Sequence, residues 1–291
     1  MNIKKITFIG LGVMGYPMAG HLKNKAYEVT VYNRTSAKSK KWVDEFKGLS
    51  ADTPGKASNN SEAVFICVGR DNDLRDVMEG EKGILNNVEK NTVIVDHTTA
   101  SANIAREYYS ICKSKKLHFL DAPISGGQAG AENGKLSIMI GGDLEPYKRV
   151  KPVLSSYGKA VELIGESGSG QLTKMINQIC IAGLVQGLSE ALEFGKKSNL
   201  DMEKVIKVIS KGAAQSWQME NRYRTMLDNK FDFGFAVDWM RKDLKIAMDE
   251  AKKNNSPLPI TEIVDSYYEE IQKMGGNRWD TSSLIRRFRK K

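Results

Sequence analysis

The chain has 291 residues, of which 41% are hydrophobic and 27% charged, and it carries a formal net charge of +9. This length allows two modest domains with a core each, and the composition excludes a disordered chain. No apolar run reaches bilayer length and no cleavage site follows the amino terminus, so a cytoplasmic protein without a membrane partner is expected.

Cys67, Cys112 and Cys180 are odd in number and widely spaced, which argues against disulfides. His21, His97 and His118 show no metal-ligand spacing, and no metal is expected. The positive charge has two readings, a nucleic-acid surface or ordinary solvated lysines. The densest basic run is RRFRKK, 286–291, but the other lysines are scattered over polar helix faces without interleaved aromatics, so no nucleic-acid partner is expected.

From the amino terminus, β-branched runs alternate with helical stretches: KITFIG, EVTVYN, AVFICVG, TVIVDHTT, LHFLDAP, LSIMIGG and AVELIG. This rhythm predicts βαβ units and a Rossmann-type, doubly wound, mainly parallel sheet over residues 1–165. An all-helical region, 166–291, should follow, opened by one long apolar helix over 168–197. Its nearly all-round apolar character suits a helix clasped between domains or subunits.

The first strand runs into GLGVMG, the loop Gly10, Leu11, Gly12, Val13, Met14 and Gly15, and then into a helix. That order is a dinucleotide-binding fingerprint: a tight turn at Gly10, backbone approach to a pyrophosphate at Gly12, and helix packing at Gly15. A mere tight turn is the weaker alternative. The second strand ends in Asn33, where an NAD site would place a carboxylate for the ribose hydroxyls. Arg34 and Thr35 follow, with Lys38 one turn on, and an arginine beside a neutral amide suits a 2′-phosphate. NADP is therefore expected, with NAD as the alternative, and Arg34 as a mere solvated loop residue is the competing reading.

Further along stands GSGQLTKMINQ, after which no charged residue occurs between Met175 and Ser189. Lys174 is expected in the opening turn of the long helix, where the positive end of the dipole and the apolar surroundings both disfavour an ammonium. A solvated lysine at a helix start is the bland reading. A group that takes or gives a proton is the other.

Taken together, GLGVMGYPMAGHL, DAPISGGQAGAENGKLSIMIGG at 121–142, GSGQLTKMINQ at 168–178 and MRKDLKIAMDEA at 240–251 resemble, in order and spacing, the β-hydroxyacid dehydrogenase family. Members include 3-hydroxyisobutyrate dehydrogenase and tartronate semialdehyde reductase. The resemblance covers nearly the whole chain and implies hydride transfer between a nicotinamide cofactor and a small β-hydroxy acid or semialdehyde. It implies that Lys174 is the catalytic lysine, that Ser125, Gly126 and Gly127 hold the substrate carboxylate, and that Asn177 helps to position the substrate.

Relatives often carry a second asparagine where this chain has Gln178, which leaves open which amide touches substrate. The resemblance further implies cofactor contacts at Val68, Gly69, Asp73, Thr99 and Lys242, with Asp243 supporting Lys242. Ala26 stands where a glycine is often found, and Trp217 is either a substrate wall or core. Candidate substrates are 3-hydroxyisobutyrate, tartronate semialdehyde, succinic semialdehyde and serine. A homodimer or homotetramer is expected. The contrasting class is a non-catalytic, dehydrogenase-like binder of nucleic acid or protein.

Overall fold

The computed structural model describes residues 3–289. Contacts divide the chain into two compact units, Met1–Lys174 and Met175–Lys291.

The predicted β-branched runs of the first unit all form strands, and two short strands join them. In chain order these are β1 (Lys5–Ile9), β2 (Glu28–Tyr32), β3 (Leu49–Ser50), β4 (Ala63–Ile66), β5 (Val93–Asp96), β6 (His118–Asp121), β7 (Ile124–Ser125), β8 (Leu136–Gly141) and β9 (Gly158–Gly165). The sheet order is β3-β2-β1-β4-β5-β6-β8-β7, with β9 paired to β8. Pairs from β3 through to β6 are parallel, whereas β8 runs antiparallel to β6 and β7. Two-residue β3 and β7 are too short to leave a periodic signal.

Successive residues of each strand face opposite sides of the sheet. Ile6, Phe8, Ala63, Phe65, Val93 and Val95 enter one core, and Ile9, Val64, Ile66 and Ile94 enter the other. Helices α1 (Gly15–Asn24) and α2 (Ser36–Phe46) cover the first face, and α3 (Pro54–Ser58), α4 (Asp71–Met78) and α5 (Ala102–Ser114) cover the second. The short α6 (Gly127–Glu132) and then α7 (Leu144–Leu154) return to the first face through Ala131, Val150 and Leu154. Ser101 caps α5 by accepting from the Ile104 N–H at 3.1 Å, an ordinary serine cap. Ala26 ends the turn after α1 with φ 65, a conformation a glycine would adopt without strain.

Helix α8 (Ser169–Lys197) starts in the first unit and belongs to the second from Met175 onward. It is followed by α9 (Met202–Ile209), α10 (Trp217–Leu227), α11 (Val237–Lys253) and α12 (Pro259–Lys273), and a 3-10 segment, Thr281–Arg289, ends the described chain. Ala182 and Val185 of α8 pack with Val237, Met240, Leu244, Val264 and Tyr268; Leu188 and Leu192 pack with Ile206, Met219 and Met226. On the opposite stripe of α8, Ile176 is 62% and Phe194 73% exposed among the described residues. No helix among the described residues is long and apolar enough to cross a membrane.

The basic tail differs from a solvated run. Arg287 donates to Glu270 and lies over the Tyr267 ring, Arg289 pairs with Glu193 at 3.1 Å, and Arg286 donates to Asn229. Its arginines fasten the terminal segment onto the helices beneath.

Candidate active site

Strand β1 lies between β2 and β4, which makes its carboxyl end the point where strand order reverses and ligands enter such sheets. Gly10 leaves β1 with φ +96, its N–H donating to the Tyr32 carbonyl at 2.8 Å, and a side chain there would strike the Cys67 carbonyl behind β4. Only glycine allows this crossing. At Gly12 a Cβ would point into open space, whereas at Gly15 it would collide with the Gly10 carbonyl. Helix α1 follows with no acidic residue in its first turn. An exposed backbone at Gly12 in front of a helix amino terminus fits a dinucleotide pyrophosphate. Within the loop, Val13 is exposed and Met14 packs against the core. The Leu11 side chain is core, so its backbone alone faces the loop.

Asn33 ties the second strand to this loop. Its Oδ1 accepts from the Leu11 N–H at 2.9 Å and its Nδ2 donates to the Thr35 carbonyl at 3.1 Å. Arg34, Thr35 and Lys38 are exposed beside it. Asp73 of α4 lies 3.6 Å from Arg34 and 3.8 Å from Arg70, which brings it to the Arg34 end of the site. Arg70, a second cation here, escaped the sequence reading because nothing in β4 signals which loops its end meets.

Half-buried Val68 and Gly69 follow β4. The Val68 N–H donates to Thr98 Oγ1 at 3.1 Å, and Asp71 accepts from both the N–H and the hydroxyl of Ser101, so the loops after β4 and β5 are laced together around Thr99. Asp96, at the end of β5, is fully buried; burial raises its carboxyl to about 7 although the Thr98 N–H donates to it. Next to it His97 bridges the Ala122 carbonyl and the Tyr157 hydroxyl, and burial lowers its imidazole to about 4. His97 is a core group.

Ser125 closes β7, and Gly126 and Gly127 turn away from it with φ +133 and +61, the first a value that only glycine adopts without strain. Four residues earlier in the same motif, Asp121 is buried at the end of β6 and caps α8. Its two oxygens accept from the Gly168 and Gln171 N–H groups at 2.8 and 2.9 Å. Burial raises its carboxyl against the pull of these donors. The Gln171 side chain reaches the other way, donating to the Thr98 carbonyl at 2.7 Å and accepting from the Ala100 N–H, on either side of Thr99. Asp121 and Gln171 were missed, though both lie inside motifs quoted above.

Because Asp121 starts the helix at Ser169, Lys174 is its sixth residue, in the second turn and not the first. The dipole is felt mainly in the first turn, and Lys174 is buried, at 7% exposed. Burial excludes the solvated-lysine reading.

Asn177 and Gln178 follow on α8, three and four residues after Lys174 and hence on its side of the helix. In the second unit the Asn177 Nδ2 donates to Gln178 Oε1 at 2.8 Å, and Gln178 Nε2 donates to Asp243 Oδ2 at 2.6 Å. Asp243 Oδ1 lies 3.0 Å from Lys242 Nζ, whose ammonium also stands 5.6 Å from the Trp239 ring centroid. Trp217 is exposed and stacks with Arg222, which excludes its reading as core. Among the described residues no group of three or more His, Cys, Asp or Glu could hold a metal ion.

Comparison with known proteins agrees with this geometry. Residues 5–165 match the family profile described as the NAD binding domain of 6-phosphogluconate dehydrogenase, and residues 168–288 match the one described as NAD-binding of NADP-dependent 3-hydroxyisobutyrate dehydrogenase. The chain is 59% identical to an uncharacterized oxidoreductase of Shewanella frigidimarina, over 98% of each chain. It is 33% identical to the 2-hydroxy-3-oxopropionate reductase of Escherichia coli, over 97% of this chain and 96% of that one. Among solved structures, 3-hydroxyisobutyrate dehydrogenase of Mycobacterium tuberculosis with L-serine superposes with a TM-score of 0.88 at 25% identity, covering all of both chains. A glycine loop at the switch point, a capped helix carrying a buried lysine, and these two profiles together place the chain in the β-hydroxyacid dehydrogenase family of NAD(P)-dependent oxidoreductases.

Proposed function

We propose that this enzyme interconverts a small β-hydroxy acid and its semialdehyde with NADP as the preferred cofactor, 3-hydroxyisobutyrate being the leading substrate. Tartronate semialdehyde and succinic semialdehyde are the alternatives. The observation that carries the reading is buried Lys174 on a helix whose start is held by Asp121, the residue that also opens the Ser125-Gly126-Gly127 motif.

A bound nicotinamide supplies or accepts the hydride. Lys174 Nζ takes the hydroxyl proton when the alcohol is oxidised and returns it to the oxygen when the aldehyde is reduced. Ser125 offers a hydroxyl, and the turn at Gly126 and Gly127 offers backbone N–H groups, to the substrate carboxylate. Asn177 positions the substrate one helical turn from the lysine.

The NADP preference rests on charge. Neutral Asn33 follows strand β2, and Arg34, Thr35 and Lys38 are exposed next to it, with Arg70 nearby. A cytoplasmic location and a homodimer or homotetramer belong to the same proposal, the exposed stripe of Ile176, Leu184 and Phe194 along α8 being the apolar face in its favour. Light scattering reads the mass in solution.

The test is a panel of small hydroxy acids and semialdehydes assayed separately with NADP and NAD, together with Lys174→Ala and Lys174→Arg. Both variants are expected to lose about 10²–10⁴-fold in turnover, the usual weight of a positioned proton-transfer group. Cofactor affinity should stay near wild type. Near-normal turnover in either variant refutes the role given to Lys174.

A further inference from the structure

Asp243 is 2% exposed, and its carboxylate faces two partners of different kinds. One oxygen is hydrogen-bonded to Gln178; the other lies near the Lys242 ammonium but makes no hydrogen bond of good geometry among the described residues. A carboxylate can only accept, so Gln178 must turn its nitrogen to Asp243. Its oxygen then faces Asn177, which in turn must present Nδ2 and turn its carbonyl end away. Amide ends are otherwise interchangeable in shape; here the Asp243 carboxylate takes the Gln178 nitrogen, and the Gln178 oxygen takes Asn177 Nδ2.

We propose that Gln178 is a positioning residue and not a substrate contact. It transmits the charge of Asp243 to Asn177, so one carboxylate both sets which end of Asn177 meets the substrate and holds the Lys242 ammonium. The proposal rests on the β-hydroxyacid reading for the roles of Asn177 and Lys242, but the amide row itself can be tested without turnover. Gln178 lies 2% exposed, with both ends of its amide engaged, which suits a relay better than a ligand contact.

The experiment compares side-chain amide NMR signals of the cofactor-free enzyme in wild type, Asp243→Asn, Gln178→Leu and the Gln178→Leu/Asp243→Asn double variant. Asp243→Asn is expected to move the side-chain amide signals of both Gln178 and Asn177. Once Gln178 is leucine, the same replacement should leave Asn177 unmoved. If Asn177 ignores Asp243 in the wild-type background, or responds equally in both, the relay is overturned.

Should Gln178→Leu fail to fold, Gln178→Met, which keeps the chain length, makes the same comparison. Kinetics give the second readout. Gln178→Leu should raise the substrate KM roughly tenfold, and the non-additivity between Asn177→Ala and Lys242→Ala should vanish in that background. A rise in KM with that coupling intact would instead make Gln178 a direct substrate contact and sink the proposal. Absence of any turnover in wild type would count against the reaction assigned above, leaving the amide row to be judged on its spectra.

Discussion

Arg34 is 86% exposed, and its nearest acidic partner, Asp73, is 3.6 Å away and shared with Arg70. An ion pair so long and so exposed contributes little, so Arg34 can turn to a 2′-phosphate at small cost. Arg34→Ala is therefore expected to weaken NADP binding about tenfold, about one charge-assisted hydrogen bond, and to leave NAD binding nearly unchanged. Fluorescence titration of the two reduced cofactors reads this directly. Equal losses for both would show that Arg34 serves the dinucleotide in general and not its extra phosphate.

At the scale of the element, α8 depends on a residue that is distant in sequence. Asp121 supplies the acceptors for the Gly168 and Gln171 amides, which no neighbouring side chain supplies. Asp121→Ala leaves both amides buried without these acceptors and is expected to cost about 2–4 kcal/mol of unfolding free energy in urea titrations. Asp121→Asn keeps one acceptor but sets its NH2 against the other backbone N–H, so it is expected to recover only part of that loss. Turnover of the alanine variant should fall further than its stability alone explains, since Lys174 lies in the turn after the loosened one. A variant as stable and as active as wild type would show that α8 does not need this cap.

For the whole molecule, two buried groups beside each other at the end of β5 pull stability in opposite directions with pH. His97 titrates at about 4 when folded against an ordinary 6.5, so the unfolded chain binds the extra proton and His97 destabilises the fold as pH falls below about 6.5. Asp96 titrates at about 7 when folded against an ordinary 3.8, so here the folded chain binds the extra proton and stability is lost as pH rises from about 4 to 7. The stability of His97→Gln relative to wild type should therefore fall with rising pH between about 4 and 6.5. That of Asp96→Asn should rise between about 4 and 7, each by at most about 1.4 kcal/mol per pH unit. Chemical denaturation across this range checks both slopes; two slopes of the same sign would contradict the burial of one group.

Much of this architecture was readable from local pattern. The alternation that divides Phe8 from Ile9 and Phe65 from Ile66 between two cores is written as β-branched runs, and the loop from Gly10 to Gly15 is marked by glycines at its two crowded ends. The buried lysine was signalled by the charge-free stretch after it. What the pattern could not show are partnerships between segments far apart: Asp121 with Gly168, Asp73 with Arg34, and Gln178 with Asp243. The basic tail is the clearest instance, since its charge invited a surface reading and only its pairing with Glu270 and Glu193 revealed a fastening. Composition, periodicity and glycine spacing determined the fold class, and the four motifs in their order pointed to the family and to Lys174 as the candidate proton-transfer group, because these depend on properties that each residue carries with it. The tertiary structure decided which turn holds Lys174, which amide is bonded to Asp243 and which carboxylates are buried, because desolvation and hydrogen bonding arise only when distant segments meet.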